Sequence, residues 1–428
     1  MKRTAQRIAR GLTAAALGLS LSMPATAQED PDLALLLKEA GERNPELSAA
    51  RQEAEAAASR VEPAAELDDP MLEAGLLNVP AQSLDLRQED MTMKMIGISQ
   101  RLPYPGKRAL RRGAAQKDAE AAALGVQEVV NRVRRDVKTA YLDLWLADES
   151  LRLTESNLRV LEQFLSIAES RYAVGQSTQA DVFKAQTQLS RMQQERIRLG
   201  RERPTLEAEL NRAAGRGDAA SVTPRAPGLR EADLHLEALR ASARASRPLL
   251  LAQQRAVERS AAQAEIARKD YYPDFDVRFS YGQRDNFQGM RREDLISLTV
   301  AINLPLWGEK KREPRVAEAE SMRGQASSMV QARLNEIDSM LRQQVAAAGQ
   351  ALRSVRLYEG ALIPQARLTS DASLSAYRVG RVDFFTLLDS RMTVFNAEID
   401  RAASRVAYNK ALAEIEFLTG AALSGDAR

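Results

Sequence analysis

Arg171-Tyr-Ala-Val-Gly-Gln-Ser-Thr-Gln-Ala-Asp-Val-Phe183 is the stretch on which the reading of this chain turns, because its first part occurs twice. Ala376-Tyr-Arg-Val-Gly380 repeats it 205 residues later, with Tyr172, Val174 and Gly175 falling on Tyr377, Val379 and Gly380 without a gap. Each copy runs 40 residues past its glycine to another glycine, Gly215 or Gly420. A glycine takes φ > 0 without a Cβ clash, so it is a natural point of reversal between two helices. The sequence therefore predicts two helical-hairpin tips.

Working back from the first tip, an apolar seam runs Val126, Val130, Val133, Val137, Ala140, Leu144, Ala147, Leu151, Thr154, Leu158, Leu161, Leu165, Ala168, Tyr172. Steps of four and three alternate, which is the period of a coiled-coil seam. No proline falls between Pro105 and Pro204, so one helix is expected from Gly106 to the tip. Past the tip the seam resumes at Val182, Ala185, Leu189 and Met192, and the two arms must lie antiparallel.

The whole pattern then recurs. Arg247-Pro248 matches Asn44-Pro45, Tyr271-Tyr-Pro273 matches Asp68-Asp-Pro70, and Leu304-Pro305 with Gly308 matches Leu102-Pro103 with Gly106. Anchors in register over half the chain mean an internal duplication. The expected organisation is a signal peptide at 1–27, a first repeat at 28–213, a linker at 214–232, a second repeat at 233–420 and a tail at 421–428. Helix is expected from Pro31 to Arg60, broken at Asn44-Pro45, and again from Glu231 to Lys269.

Between the short and long helices of each repeat lie two strand-like runs, Met71–Val79 with Thr92–Leu102 and residues 274–281 with 296–304. In the second pair Phe275, Val277, Phe279 and Tyr281 alternate with polar residues, and Ile296, Leu298, Val300, Ile302 and Leu304 do the same. About ten residues with one apolar and one small or polar face suit a lipid-out, lumen-in barrel strand. A half-buried sheet of a soluble domain is the other reading of such a strand. In the first pair, Met93, Met95, Ile96 and Ile98 populate both faces. Four strands cannot close a barrel, which needs at least about eight. Three copies would supply twelve, and would set their hairpins side by side as a tube. The fold class expected is thus mainly α with transmembrane β: a trimeric α-barrel continued by a twelve-stranded β-barrel.

Composition narrows the function. Lys2, Arg3, Arg7 and Arg10, an apolar core from Gly11 to Met23 and Ala25-Thr26-Ala27 read as an export signal. Its four cations account for the formal net charge of +3 and leave −1, so the basicity does not point to nucleic acid. There is no cysteine and one histidine, His235, which excludes thiol catalysis, zinc clusters and a lipid-modified N-terminal cysteine. No Gly-rich phosphate loop is present. No enzyme, cofactor or resident metal is expected.

With these features in place the chain resembles the outer membrane efflux protein family, the TolC-like channels. The resemblance rests on the duplicated unit, on Gln100-Arg-Leu-Pro-Tyr-Pro-Gly-Lys-Arg108, and on Tyr172-x-Val-Gly followed by Asp181-Val182. It implies a homotrimer in the outer membrane with a periplasmic helical tube, an adaptor protein at the tips and an inner-membrane RND-type pump that supplies the energy. Arg171, Tyr172, Val174, Gly175, Tyr377, Val379 and Gly380 become the candidate tip and adaptor contacts. Asp181, Tyr377 and Asp389 become candidates for a gate, Asp181 and Tyr377 as one polar latch and Asp389 as an acidic ring. Thr386 and Val382 depart from the family pattern, standing where a second ring aspartate and a gate arginine occur. Asp68-Asp-Pro-Met71, Leu77-Asn-Val-Pro80 and Met91-Thr-Met93 resemble the metal-cation branch, and Met91, Met93 and Met95 are expected on one strand face. A multidrug or type I secretion channel, and a periplasmic coiled-coil interaction protein with no barrel, are the alternatives.

Overall fold

The structure, a computed structural model, describes residues 31–87, 89–217, 221–286 and 289–423. The expected signal peptide and residues 424–428 of the expected tail lie outside the described residues. Both repeats follow one course. In the first, α1 (Pro31–Arg43) and α2 (Pro45–Ser59) lead to β1 (Met71–Leu77) and β2 (Met93–Leu102), then to α3 (Lys107–Ala173), the tip, and α4 (Gln179–Ala213). In the second, α5 (Leu236–Ser246) and α6 (Pro248–Lys269) lead to β3 (Phe275–Gln283) and β4 (Leu295–Ile302). A long arm follows, α7 (Glu313–Leu357) and α8 (Ile363–Arg378), and α9 (Phe384–Thr419) returns from the second tip.

The 67 residues of α3 span about 100 Å at roughly 1.5 Å each. Its counterpart is not a plain α-helix throughout. Pro364 supplies no N–H and its ring crowds the carbonyl four residues back, at Gly360. A π-helical stretch, Tyr358–Leu362, absorbs that conflict and carries α7 into α8.

The matching glycines and prolines of the two repeats meet in space. At the end of α4, Gly215 has φ 68° and lies so close to the α1–α2 break that a Cβ there would come within 2.7 Å of Asn44 Cα. Asn44 caps α2, its Oδ1 accepting from Glu46 N at 2.9 Å, while its Nδ2 donates to Ala213 O at 2.9 Å. At the end of α9, Gly420 has φ 71° and presses on the α5–α6 break, 2.7 Å from Ser246 O and 2.9 Å from Arg247 Cα by the same measure. Each hairpin is thus fastened at its far end by a glycine seated on an X-Pro kink.

The core is strung along the hairpins rather than gathered at one centre. On α3 the expected seam is buried at Val133, Val137, Leu144, Ala147, Leu158, Leu161 and Ala168. Tyr141, Leu142, Trp145, Leu153, Asn157 and Phe164 are buried as well, off the seam. The reason is that α3 packs on α4 along one side and on α9 along another, so it needs a wider apolar face than a two-stranded coil.

One expected helix boundary is corrected. Residues 231–235 are irregular, and α5 begins at Leu236 rather than Glu231. Here buried Tyr408 takes the backbone in place of helical bonds: its hydroxyl accepts from Ala232 N at 3.2 Å and donates to Arg230 O at 2.7 Å. Tyr141 acts similarly, accepting from Arg225 N at 2.9 Å.

The four strands form one antiparallel sheet in the order β1-β2-β3-β4. Its register sorts the two faces. Leu72, Ile98, Phe279 and Leu298 stand in one cross-strand row, and Ala74, Ile96, Tyr281 and Ile296 in the next on that face. The opposite face carries Glu73, Gly97, Ser280 and Ser297 in one row and Met71, Ser99, Arg278 and Thr299 in another. Arg278 pairs with Glu73 at 3.1 Å across that small, polar face. The apolar face is bare, with Leu72 73% and Leu298 69% exposed.

The methionine expectation is corrected too. Met91 lies before β2, not in it. Met93 and Met95 share the small-residue face, and Ile96 and Ile98 the apolar one. Met93 fills the space over Gly282, where a Cβ would stand 2.5 Å from its sulfur.

Candidate functional site at the hairpin tips

The two tips are built alike and then used differently. In the first, Gly175 at φ 74° closes α3, with Gly175 N donating to Tyr172 O at 2.9 Å and Gln176 N to Arg171 O at 2.8 Å. In the second, Gly380 at φ 76° repeats the pattern with Tyr377 O at 3.0 Å and Ala376 O at 2.9 Å. These bonds satisfy carbonyls that the helix end leaves unpaired, and they need the left-handed residue that glycine supplies.

The helices leaving the tips are capped by the same two residue types in exchanged positions. Thr178 caps α4, its Oγ1 accepting from Asp181 N at 3.3 Å, while Asp181 Oδ2 accepts from Thr178 N at 3.3 Å. Asp383 caps α9, its Oδ1 accepting from Thr386 N at 2.8 Å and from the Thr386 hydroxyl at 2.6 Å. Thr386 thus completes a cap at the position where the family pattern has an aspartate. These two Thr386 bonds hold the Asp383 carboxyl below its ordinary range, and the Lys184 cation acts in the same direction.

The tyrosines part company. Tyr172 is 48% exposed, whereas Tyr377 is 3% exposed and packs edge-on to Phe384 at 5.6 Å. Tyr377 was expected both at an adaptor surface and in a gate, and its burial removes it from the surface. Its hydroxyl lies 3.3 Å from Ser177 Oγ, which donates to Asp181 Oδ2 at 2.9 Å. Asp181 and Tyr377 are therefore joined through Ser177 and not directly.

Arg171 also crosses between the hairpins. It donates to Arg378 O at 2.6 Å and to Gln176 O at 2.9 Å, and its guanidinium lies 5.0 Å from the Tyr377 ring centroid. Its counterpart in the second repeat is Ala376, so the staple is one-sided. Val174, Val379, Phe183 and Phe385 remain exposed around the tips.

Asp389 is exposed on α9 and makes no ion pair among the described residues. Arg391, two residues further along α9, turns inward and donates to Asn157 Oδ1 at 2.8 Å. Burial lowers the Arg391 guanidinium from its ordinary value. Because Arg391 can only donate, Asn157 must turn its Nδ2 the other way, toward Met392 Sδ at 3.8 Å. Gln188 Nε2 reaches the same sulfur at 3.3 Å. This polar layer joins α3, α4 and α9 above the tips. Sequence reading missed it and Ser177 alike, since no periodic signal marks a polar residue that faces a third helix.

Among the described residues no group of three or more His, Asp or Glu side chains could hold a metal ion, and no helix is long and apolar enough to cross a membrane. The sheet is a different matter, because its apolar face is uncovered and its edge strands β1 and β4 are open. An apolar-out sheet above paired helical hairpins defines a class, the subunit of a duct that continues a β-barrel with a helical tube.

The chain belongs to the outer membrane efflux protein family, whose profile matches residues 36–216 and 226–421. That family is one of channels and not of enzymes. Solved structures repeat the fold. A membrane protein from Pseudomonas aeruginosa superposes with a TM-score of 0.79 at 19% identity, covering 91% of this chain and 93% of that one. The outer membrane protein VceC from Vibrio cholerae gives 0.78 at 18%, covering 92% and 97%. The outer-membrane channel OprN gives 0.75 at 18%, covering 91% and 90%. A comparison with curated proteins finds no match.

Proposed function

We propose that this chain is the outer-membrane exit duct of a tripartite efflux system, a passive gated conduit formed by three copies. The observation that carries the reading is the sheet: every residue of β4 is exposed, apolar and small or polar residues alternate along β3 and β4, and Leu72, Ala74, Ile96 and Ile98 of β1 and β2 extend the apolar face. Lipid is the solvent that suits such an apolar face, and edges β1 and β4 need partners of the same kind. Twelve strands from three protomers satisfy both demands, and the small, polar face then lines the lumen. The exposed tip residues Tyr172, Val174 and Val379 suit contact with a periplasmic adaptor, and the energy belongs to an inner-membrane pump of the RND type. Cleavage of a signal peptide after Ala27 would deliver the chain to the periplasm.

The gate lies at the tips. The Arg171 staple and the Tyr377–Ser177–Asp181 chain hold the second hairpin against the first, and three exposed Asp389 carboxylates around the axis would favour cations. For the cargo, metal cations are the reading favoured by resemblance in the Asp68–Met71 and Leu77–Pro80 stretches. The packing of Met93 over Gly282 argues that Met93 fills space and does not bind the cargo.

Cell fractionation and planar-bilayer recordings on the full-length protein test the duct. Recovery in the outer membrane as a heat-stable trimer with a small resting conductance is expected. Recovery in the soluble periplasm would sink the reading in favour of a coiled-coil interaction protein. Growth of a deletion strain on cobalt, zinc or cadmium salts tests the cargo separately.

A further inference from the structure

The duplication gives each protomer one internal interface whose counterpart faces outward. Within the protomer, α3 of the first repeat packs on α9 of the second. Leu142 and Trp145 of α3 are buried there against Ala402 and Val406 of α9. The same step, taken once more, leads from the second repeat to the first repeat of another copy. In the sheet it leads from the pairing of β2 with β3 to the open edges β4 and β1. In the helices it sets α7 of one copy on α4 of the next.

The register of that step is fixed on both helices. Gly175 and Gly215 fall on Gly380 and Gly420 at an offset of 205, so Ile197 of α4 stands for Ala402 of α9. Buried Val133, Val137 and Leu144 of α3 fall on buried Ile337, Leu341 and Ala348 of α7 at an offset of 204. Ala346 and Gly349 therefore stand for Leu142 and Trp145. Burial inverts between the two sets. Ala402 is 1% exposed and Ile197 69%, while Leu153 is 5% exposed and its counterpart Leu357 55%. Ala346 and Ala347 are exposed too. Charge is half retained. Lys138 and Glu414, paired within the protomer to Glu416 and Arg135, have Arg342 and Glu209 as counterparts. Both are exposed and make no ion pair among the described residues.

Size inverts as well. Inside the protomer the large side chains are on the long arm and the small ones on the returning arm. At the outward counterpart the long arm carries Ala346 and Gly349, and the returning arm carries Ile197. Packing at interior density sets large against small. Crossed pairings fail on both sides: Trp145 against Ile197 would overlap, and Gly349 against Ala402 would leave a void.

We propose that Ile197 of one copy seats over Ala346 and Gly349 of the next, with Arg342 beside that gap pairing with Glu209 of the copy that supplies Ile197. The inference rests on reading three copies as one duct. It adds the device that sets the order of hairpins around the ring, because each long arm accepts only its own returning-arm partner.

The chain has no cysteine, so engineered thiols are the only ones present. Full-length protein carrying Ile197→Cys with Ala346→Cys, or Ile197→Cys with Gly349→Cys, is oxidised in its membranes and run on a non-reducing gel beside the single variants. One cysteine per chain can join only two chains, so disulfide-linked trimers require the head-to-tail contact. Trimer bands from at least one pair, and from no single variant, are expected. Glutaraldehyde on the wild-type protein reports assembly independently. Glutaraldehyde trimers without disulfide trimers from either pair overturn the contact and leave the duct standing, whereas monomers throughout overturn the duct reading. Should the paired variants not assemble, benzoylphenylalanine in place of Ile197 gives the same readout: an adduct on the tryptic peptide Gln343–Arg353 supports the contact, and one elsewhere overturns it.

A size exchange tests the fit itself. Within the protomer a Cβ on Gly349 would meet Arg353 Nη1 at 3.5 Å, an ordinary contact. Gly349→Leu should nevertheless lower the temperature at which the trimer dissociates in detergent, and adding Ile197→Ala should recover most of the loss. An equal loss with and without Ile197→Ala overturns the size match.

Discussion

The hydroxyl of Tyr377, at the end of α8, lies 3.3 Å from Ser177 Oγ at the start of the other hairpin's returning arm. Ser177 passes the contact to Asp181, and the Arg171 guanidinium lies over the Tyr377 ring. The two hairpins of one protomer are therefore tied at their tips by a short polar chain and a guanidinium.

Tyr377→Phe and Ser177→Ala each remove this hydroxyl bridge and leave the ring packing on Phe384. A net hydrogen bond is worth about 0.5–1.5 kcal/mol, so each should raise passive conductance severalfold at most. The double mutant should add little to either single change. Arg171→Ala should do more, because it strands the carbonyls of Arg378 and Gln176 and removes the cation from the ring. Asp181→Ala is the less clean probe, since it also breaks the cap of α4 at a cost of about 0.5–2 kcal/mol. Unchanged single-channel conductance in Tyr377→Phe and Arg171→Ala alike would dismiss the latch.

The hairpin ends are expected to be intolerant where they meet the X-Pro kinks. Gly215→Ala would drive a methyl into the Asn44 backbone, and Gly420→Ala into Ser246 O and Arg247 Cα, in each case with positive φ added. A loss of at least about 1 kcal/mol is expected from each. Gly200, inside α4, has open space around its Cβ position, and Gly200→Ala should stabilise by roughly 1 kcal/mol through helix propensity. Thermal unfolding of the trimer in detergent separates the three.

The start of α9 should respond to acid. The Asp383 carboxyl has a lowered folded value, so its cap contribution is complete above the unfolded pKa of about 3.9. It is lost as the pH falls through the folded value below that. Amide exchange at Thr386, corrected for intrinsic rates, should therefore lose protection below about pH 4. Asp383→Asn keeps a good capping side chain and should remove the pH dependence. Persistence of the same titration in the Asn variant would assign it to another group.

Charge placed on the two sheet faces should separate them. Leu298 belongs to the apolar row and Ser297 to the small, polar one. Leu298→Arg should cost about 2–4 kcal/mol in the bilayer and reduce outer-membrane insertion, whereas Ser297→Arg should insert normally and change ion selectivity. Equal insertion of both would mean that lipid does not cover the apolar face.

Much of this protein was decided by the sequence alone. Periodicity is a local property, so the heptad steps of α3 and the alternation of β3 and β4 could be read without coordinates. Duplication could be read as well, because Tyr172, Val174 and Gly175 recur in register and each tip needs φ > 0 at its glycine. What the sequence could not decide was partner choice. Whether a buried position of α3 meets α4 or α9 depends on how two hairpins distant in sequence lie together, which is why Asn157 and Trp145 fell outside the seam. The same holds for the paired tyrosines: Tyr172 and Tyr377 sit in matching local sequence, but only Tyr377 is roofed by Arg171 and Phe384. At Gly215 and Gly420 both levels meet, since the sequence marked the turns and only the packing showed that they seat on Asn44 and Arg247.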